Sequence, residues 1–107
     1  MKLLTKHLEQ TLPALYSQEN EKDPWVLCKF FLPMSKWTWY VTEFDGKDTF
    51  FGFVAGEYPE LGYFSLNELE SLEGLYGLGV ERDLYFEPVR LSEIKNLYNQ
   101  NSDTISL

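Results

Sequence analysis

Three runs rich in aromatic and β-branched residues, 25–32, 37–44 and 49–55, follow one another with turn chemistry between them. Residues of those types fit a pleated, half-buried surface, and the three runs read as a meander. Pro33-Met34-Ser35-Lys36 makes the first connection, with proline's fixed φ. The second, Asp45-Gly46-Lys47-Asp48, sets a glycine able to take φ > 0 beside an aspartate that bonds its own backbone. In the middle run Trp37, Trp39 and Val41 face one way, and Thr38, Tyr40, Thr42 and Phe44 the other. Aromatics stand on both faces, so both need cover, from helices or from another subunit.

Helix and strand signals surround this meander. Leu8 and Leu12, four apart, predict a short helix over 5–12 with Thr5 as N-cap and Pro13 as its end. Polar residues 17–24 predict a loop. Leu61-Gly62-Tyr63-Phe64 predicts a strand running directly into a helix, because Ser65 and Glu68 form an S-x-x-E capping box. Leu66, Leu69 and Leu72 make the inner stripe of that helix, with Glu68 and Glu70 flanking its outer face. Glu73 falls in its last turn, and Gly74 is its left-handed stop. Alternation of Val80, Arg82, Leu84 and Phe86 with Glu81, Asp83 and Tyr85 predicts a half-buried strand closed by Pro88. Leu91, Ile94, Leu97 and Tyr98 predict a last amphipathic helix, and the tail from about 99 reads as frayed. The expected fold is α+β, a single domain over 1–107. It has an antiparallel sheet of four or five strands, with two or three short helices against one side or the ends.

Hydrophobic residues make up 44% of the chain and aromatics 17%, enough for a core without disulfides. Cys28, the single cysteine, sits in an apolar run, so it reads as a small core residue and the reducing cytoplasm as the compartment. The opening stretch is interrupted by Lys6 and Glu9, unlike a signal peptide, and no run approaches the ~20 apolar residues of a membrane helix.

Residue types needed for common catalytic sites are scarce. His7, the lone histidine, has no nucleophile motif to serve, and one histidine with one cysteine falls short of a zinc ligand set. Glu43, Asp45 and Asp48 gather around one hairpin, and Glu57 and Glu60 in one loop, as in carboxylate pairs of glycosidases or magnesium sites. Yet Asp45-Gly46-Lys47-Asp48 is ordinary turn composition and lacks the ligand spacing of a calcium loop. Gly74, Gly77 and Gly79 follow a helix instead of opening one, so they do not read as a phosphate cradle. Trp37, Trp39, Tyr40, Phe50, Phe51 and Phe53 have the composition of a base-stacking platform, but a net charge of −8 opposes direct nucleic-acid binding. No catalytic residue, metal ligand or cofactor is expected.

That charge is unevenly spread. Residues 1–56 carry seven acids against six bases, a net of −1, whereas 57–93 carry nine acids against Arg82 and Arg90, a net of −7. Such a surface serves solubility at the least; the sharper reading is an acidic face for a basic protein partner. Glu57, Glu60, Glu68, Glu70, Glu73, Glu81 and Asp83 are its candidate contacts.

The stretches Lys36-Trp37-Thr38-Trp39-Tyr40-Val41-Thr42-Glu43-Phe44-Asp45-Gly46, Glu60-Leu61-Gly62-Tyr63-Phe64-Ser65-Leu66 and Glu81-Arg82-Asp83-Leu84-Tyr85-Phe86 resemble those of a family of small bacterial proteins. That family is known only as a domain of unknown function, often carried on plasmids, prophages and conjugative elements. The resemblance runs from about Leu3 to Leu91 and implies a mobile-element setting without bringing catalytic residues. Joined to the charge segregation, it leads to an expected function. The chain is read as a non-enzymatic binding protein of a mobile element, an anti-defence inhibitor that occupies a basic, nucleic-acid-binding surface of a host nuclease complex. Two other classes compete: an accessory metal- or nucleotide-dependent enzyme using Glu43, Asp45 and Glu60, and a structural subunit whose exposed aromatics bury against a partner chain.

Overall fold

The aromatic run that begins at Trp25 does not stay in one sheet. In the computed structural model, which describes residues 2–106 and the side chains of 2–99, the elements follow in chain order. They are α1 (Lys6–Thr11), β1 (Trp25–Val26), β2 (Cys28–Phe31), β3 (Thr38–Phe44), β4 (Thr49–Ala55), β5 (Glu60–Ser65), α2 (Leu66–Ser71), a 3-10 turn (Leu75–Gly77), β6 (Glu81–Arg82), β7 (Val89–Arg90) and α3 (Leu91–Ser106). The main sheet has five antiparallel strands in the order β5-β4-β3-β2-β6, and β1 leaves it to pair with β7 in a two-stranded ribbon. This is the expected α+β class. The expected frayed tail from about 99 falls largely outside the described side chains.

Both faces of the sheet are covered by the chain's own elements. One face packs Leu3, Leu4, Leu12, Phe30, Trp39, Val41, Phe44, Phe50, Leu69 and Val80 into a single cluster. The N-terminal segment and α2 supply its lid. The other face packs Tyr40, Phe53 and Ala55 against Leu91 and Ile94 of α3. Helices on one side or at the ends were therefore too narrow an expectation, because the aromatics on both faces of β3 require two covers.

Alternation in β3 breaks at Thr42. Val41 pairs with Gly52 and Glu43 with Phe51, so the ladder skips one residue. Thr42 Oγ1 donates to the Phe51 carbonyl at 2.9 Å. Past this bulge Phe44 joins Trp39 and Val41, a correction to the face expected for it, and Glu43 is delivered beside Phe51 on the α3 side of the sheet.

Three local expectations change for identifiable reasons. α2 ends at Ser71 with Leu72 as its C-cap, the Leu72 amide bonding back to Glu68 and Leu69; Leu72 is exposed, so the buried stripe reduces to Leu69 with Leu66 half-buried. Glu73 accordingly lies beyond the helix. Gly74 has φ −100°, not a left-handed angle, and is small because a Cβ there would stand 3.2 Å from Leu32. Finally, the strand expected to reach Phe86 stops at Arg82, since Asp83 turns the chain by accepting the Tyr85 amide at 2.9 Å.

The caps follow the sequence more closely. Thr5 accepts the Leu8 amide at 3.1 Å, and Ser65 Oγ accepts the Glu68 amide at 3.2 Å. Ser65 also donates to Asp48 Oδ2 at 2.6 Å, while Asp48 Oδ1 accepts the Asn67 amide at 2.8 Å. Asp48, read from sequence as a turn residue, thus caps α2 from the β3–β4 hairpin. Ser65→Ala is expected to lower stability by about 0.5–2 kcal/mol. Asp48→Ala should cost about 1–3 kcal/mol, because a charge-assisted bond is lost as well. Unchanged denaturation midpoints in both variants would mean that these groups do not fix the start of α2.

Cys28 is buried, as expected, and burial lifts its thiol from 9.0 to about 12. An unfolded chain deprotonates that thiol nearer 9.0, so the stability it contributes is complete below pH 9 and lost as pH rises towards 12. Tyr40, raised by burial first and then by its bond to Tyr98, acts in the same direction. The alkaline limb of the stability curve should therefore steepen by up to about 1.4 kcal/mol per pH unit for the thiol. Cys28→Ala should remove that share, and native protein should react slowly with a thiol reagent. Rapid labelling would contradict both.

Candidate functional site

Two regions gather the groups from which a function can be built: the acidic stretch 57–83, and a cleft on the α3 side of the sheet. The acidic residues do not form one tight patch. Glu57 sits in the β4–β5 turn and pairs with Lys36 at 2.5 Å; Glu60 opens edge strand β5. Glu68 and Glu70 project from α2, where Glu70 Oε2 accepts the Leu3 amide at 3.2 Å. Glu81 lies in β6, the opposite edge, and Asp83 just beyond it pairs with Lys29 at 3.7 Å. Four strand spacings separate the two edges, roughly 19 Å.

One part of the acidic stretch is drawn together. Glu73 bridges to Gly79, and the Gly74 amide bonds the Leu78 carbonyl at 2.8 Å, so the chain doubles back and sets Glu73 opposite Gly79, two residues before Glu81 opens β6. Apolar side chains crown this turn: Leu75 and Leu78 are exposed, and Tyr76 is 83% exposed. Tyr76 also has φ 58°, a left-handed conformation that costs a residue with a side chain more than it costs glycine. Among the described residues Glu60, Glu68, Glu73 and Glu81 form no ion pair.

The cleft, of about 430 Å³, lies between the sheet, the loop 16–24 and the start of α3. Glu43 anchors it. Its side chain is 5% exposed, and its two oxygens accept the Tyr16 amide at 2.8 Å and the Gln18 amide at 2.9 Å. The Gln18 side chain then ties the loop to both sheets: it donates to the carbonyls of Trp25 and Thr42 and accepts from the Trp25 amide. At the far end Asp23 accepts from the Ser92 amide and hydroxyl at 2.9 and 2.7 Å, capping α3. Those bonds to Ser92, more than the nearby Arg90, hold the Asp23 carboxyl below its usual range. Arg90 donates to the Asp23 carbonyl, pairs with Glu21 and stacks on Trp25 at 4.0 Å. A loop of seven polar residues and Pro24 is thereby held as a fixed wall.

The carboxylates of the β3–β4 hairpin, Glu43, Asp45 and Asp48, all bond backbone amides. Asp45 Oδ1 accepts the amides of Lys47, Asp48 and Thr49, and these bonds, Lys47's foremost, hold its carboxyl below the ordinary value. Glu43 faces the loop, and Glu60 stands exposed at the start of β5. Among the described residues no three His, Cys, Asp or Glu side chains come together as a metal site, and no helix is long and apolar enough to cross a membrane.

Sequence reasoning treated Glu43 as one of a hairpin trio and missed its burial. A signal was present: a carboxylate amid Trp39, Tyr40, Val41 and Phe44 is a charge placed where both faces of the strand are apolar.

A family described as a protein of unknown function, DUF2958, matches residues 3–104. The chain belongs to DUF2958. The match takes in all three stretches that carried the resemblance and extends it beyond Leu91. No curated protein and no solved structure matches this DUF2958 chain.

Proposed function

We propose that this DUF2958 chain is a non-enzymatic binding protein of a mobile genetic element, one that docks its acidic surface on a basic protein partner. The specific form is an anti-defence inhibitor occupying the nucleic-acid-binding surface of a host nuclease complex. What supports this most is the turn at 73–79, where Glu73 and Glu81, which form no ion pair among the described residues, flank in sequence exposed Leu75, Leu78 and a Tyr76 held at φ 58°. Glu68, in the first turn of α2, favours the helix dipole and so has a structural use. Glu73 and Glu81 have no such use. A tyrosine surrounded by charge is the composition of an interface anchor with a polar rim. The mobile-element setting implied by the resemblance is what makes a host defence nuclease the partner.

Glu73→Lys with Glu81→Lys should weaken binding to the partner by about tenfold or more, and rising salt should weaken the wild type, because exposed charges are screened within a Debye length of about 10 Å at 0.1 M. Tyr76→Gly should leave the fold at least as stable, since glycine accepts the left-handed angle, yet lower affinity. Binding measured on the captured partner, with and without competing duplex DNA, checks all three. A partner indifferent to the double reversal, to salt and to DNA would reduce the acidic surface to a solubility coat.

A further inference from the structure

The cleft above Glu43 has a chemistry of its own. Its aromatic end is built from Phe51 and Tyr63, whose rings stand 4.9 Å apart at 61°, together with the Tyr16 side chain on the loop wall. Carboxylates surround these rings: Glu43 is buried at the floor and Glu19 lies on the rim. Aromatic faces carry negative potential and attract cations, most strongly where water is partly excluded. The carboxylates act in the same direction. Tyr63 and Tyr16 are both more than half exposed, and the Tyr63 hydroxyl is held above its ordinary value mainly by the neighbouring Tyr16 and lastly by the charges of Glu43 and Glu19. Lys22 and Lys95 also line the cleft, together with Glu21, and Lys95 acts on Asp23, the helix-capping residue. The charges that act on Tyr63 are those of Glu43 and Glu19.

We propose that this end of the cleft receives the guanidinium of an arginine side chain presented by the basic partner. The source of that arginine rests on the binding reading above; the cage itself does not. A planar cation stacks on Tyr63 and Tyr16 and directs its N–H groups towards Glu19 and the outer lone pairs of Glu43. Because Glu43, Gln18 and Asp23 already fix the loop, little ordering is left to occur on binding, which favours even a single side chain. Glu60 and Leu61 are neighbours in β5, and Leu61 lines the cleft, so the cage adjoins Glu60 on the β5 edge, across the sheet from Glu81 in β6.

The test is an NMR titration of the whole chain at 0.15 M salt with N-acetyl-arginine amide, and separately with N-acetyl-glutamate amide. Ring signals of Tyr16, Phe51 and Tyr63 should shift and saturate with the arginine compound alone. Tyr63→Ala and Glu19→Gln, each shown to be folded by circular dichroism, should weaken it by about tenfold. The proposal is overturned if the rings do not respond, if the glutamate compound shifts them equally, or if both variants bind as the wild type does. No partner is present in this titration, so its failure leaves the acidic-surface reading standing, and an indifferent partner in the earlier experiment leaves this one to stand alone.

Discussion

Gly52→Ala is expected to be the most damaging single methyl group that can be added to this chain, preventing stable folding or removing most of its stability. A Cβ at 52 would overlap the Tyr40 carbonyl oxygen and come within 2.9 Å of its carbon and 3.2 Å of Val41 Cα. Those are main-chain atoms of the central strand, paired on both sides, so no rotamer change relieves the overlap. The closeness originates in the bulge, where β3 coils and the register shifts between Val41 and Glu43 opposite Gly52. Overpacking against movable side chains costs about 1–3 kcal/mol. Against backbone the cost should exceed that range and approach the ~5–15 kcal/mol total stability of a domain. Gly62 provides the control, because it pairs with Gly52 across β4–β5 yet has open space around its missing Cβ. Gly62→Ala should be neutral or slightly stabilising. Equal denaturation midpoints for the two variants would contradict the close approach at the bulge.

Glu43→Ala should produce the second large loss, about 2–5 kcal/mol, by leaving the Tyr16 and Gln18 amides without their acceptor. For a chain of this size that corresponds to roughly 10–25 °C in melting temperature. The loss should be localised in its first consequences: hydrogen exchange at Tyr16 and Gln18 should accelerate far more than at Phe50 or Val41 in the sheet. Glu43→Gln, which keeps one acceptor oxygen, should show a smaller drop. If all of these amides lose protection together, Glu43 is holding up the whole sheet and not one wall of the cleft.

Much of the architecture was legible because its causes are local. Aromatic and β-branched runs with proline and glycine between them specify a meander whatever surrounds it, and Thr5 and Ser65 cap their helices through bonds that span three residues. Gly46 takes φ 84° for a reason contained in its own turn. The cleft was not legible, because it joins Glu43 to amides 25 and 27 residues away and Asp23 to Ser92 69 residues away.

The sequence by itself determined the α+β class, the order of the meander strands, the capped start of α2 and the confinement of the acidic excess to residues 57–93, all consequences of residue type and short spacing. Only the tertiary structure decided that Leu27 divides the first apolar run between two sheets and that a bulge at Thr42 turns Glu43 inward to meet the loop. It alone also separated Glu60 and Glu81 onto opposite edges and folded Glu73 back against Gly79. Those outcomes depend on which strand lies beside which, and a one-residue slip in a ladder reverses every side chain after it.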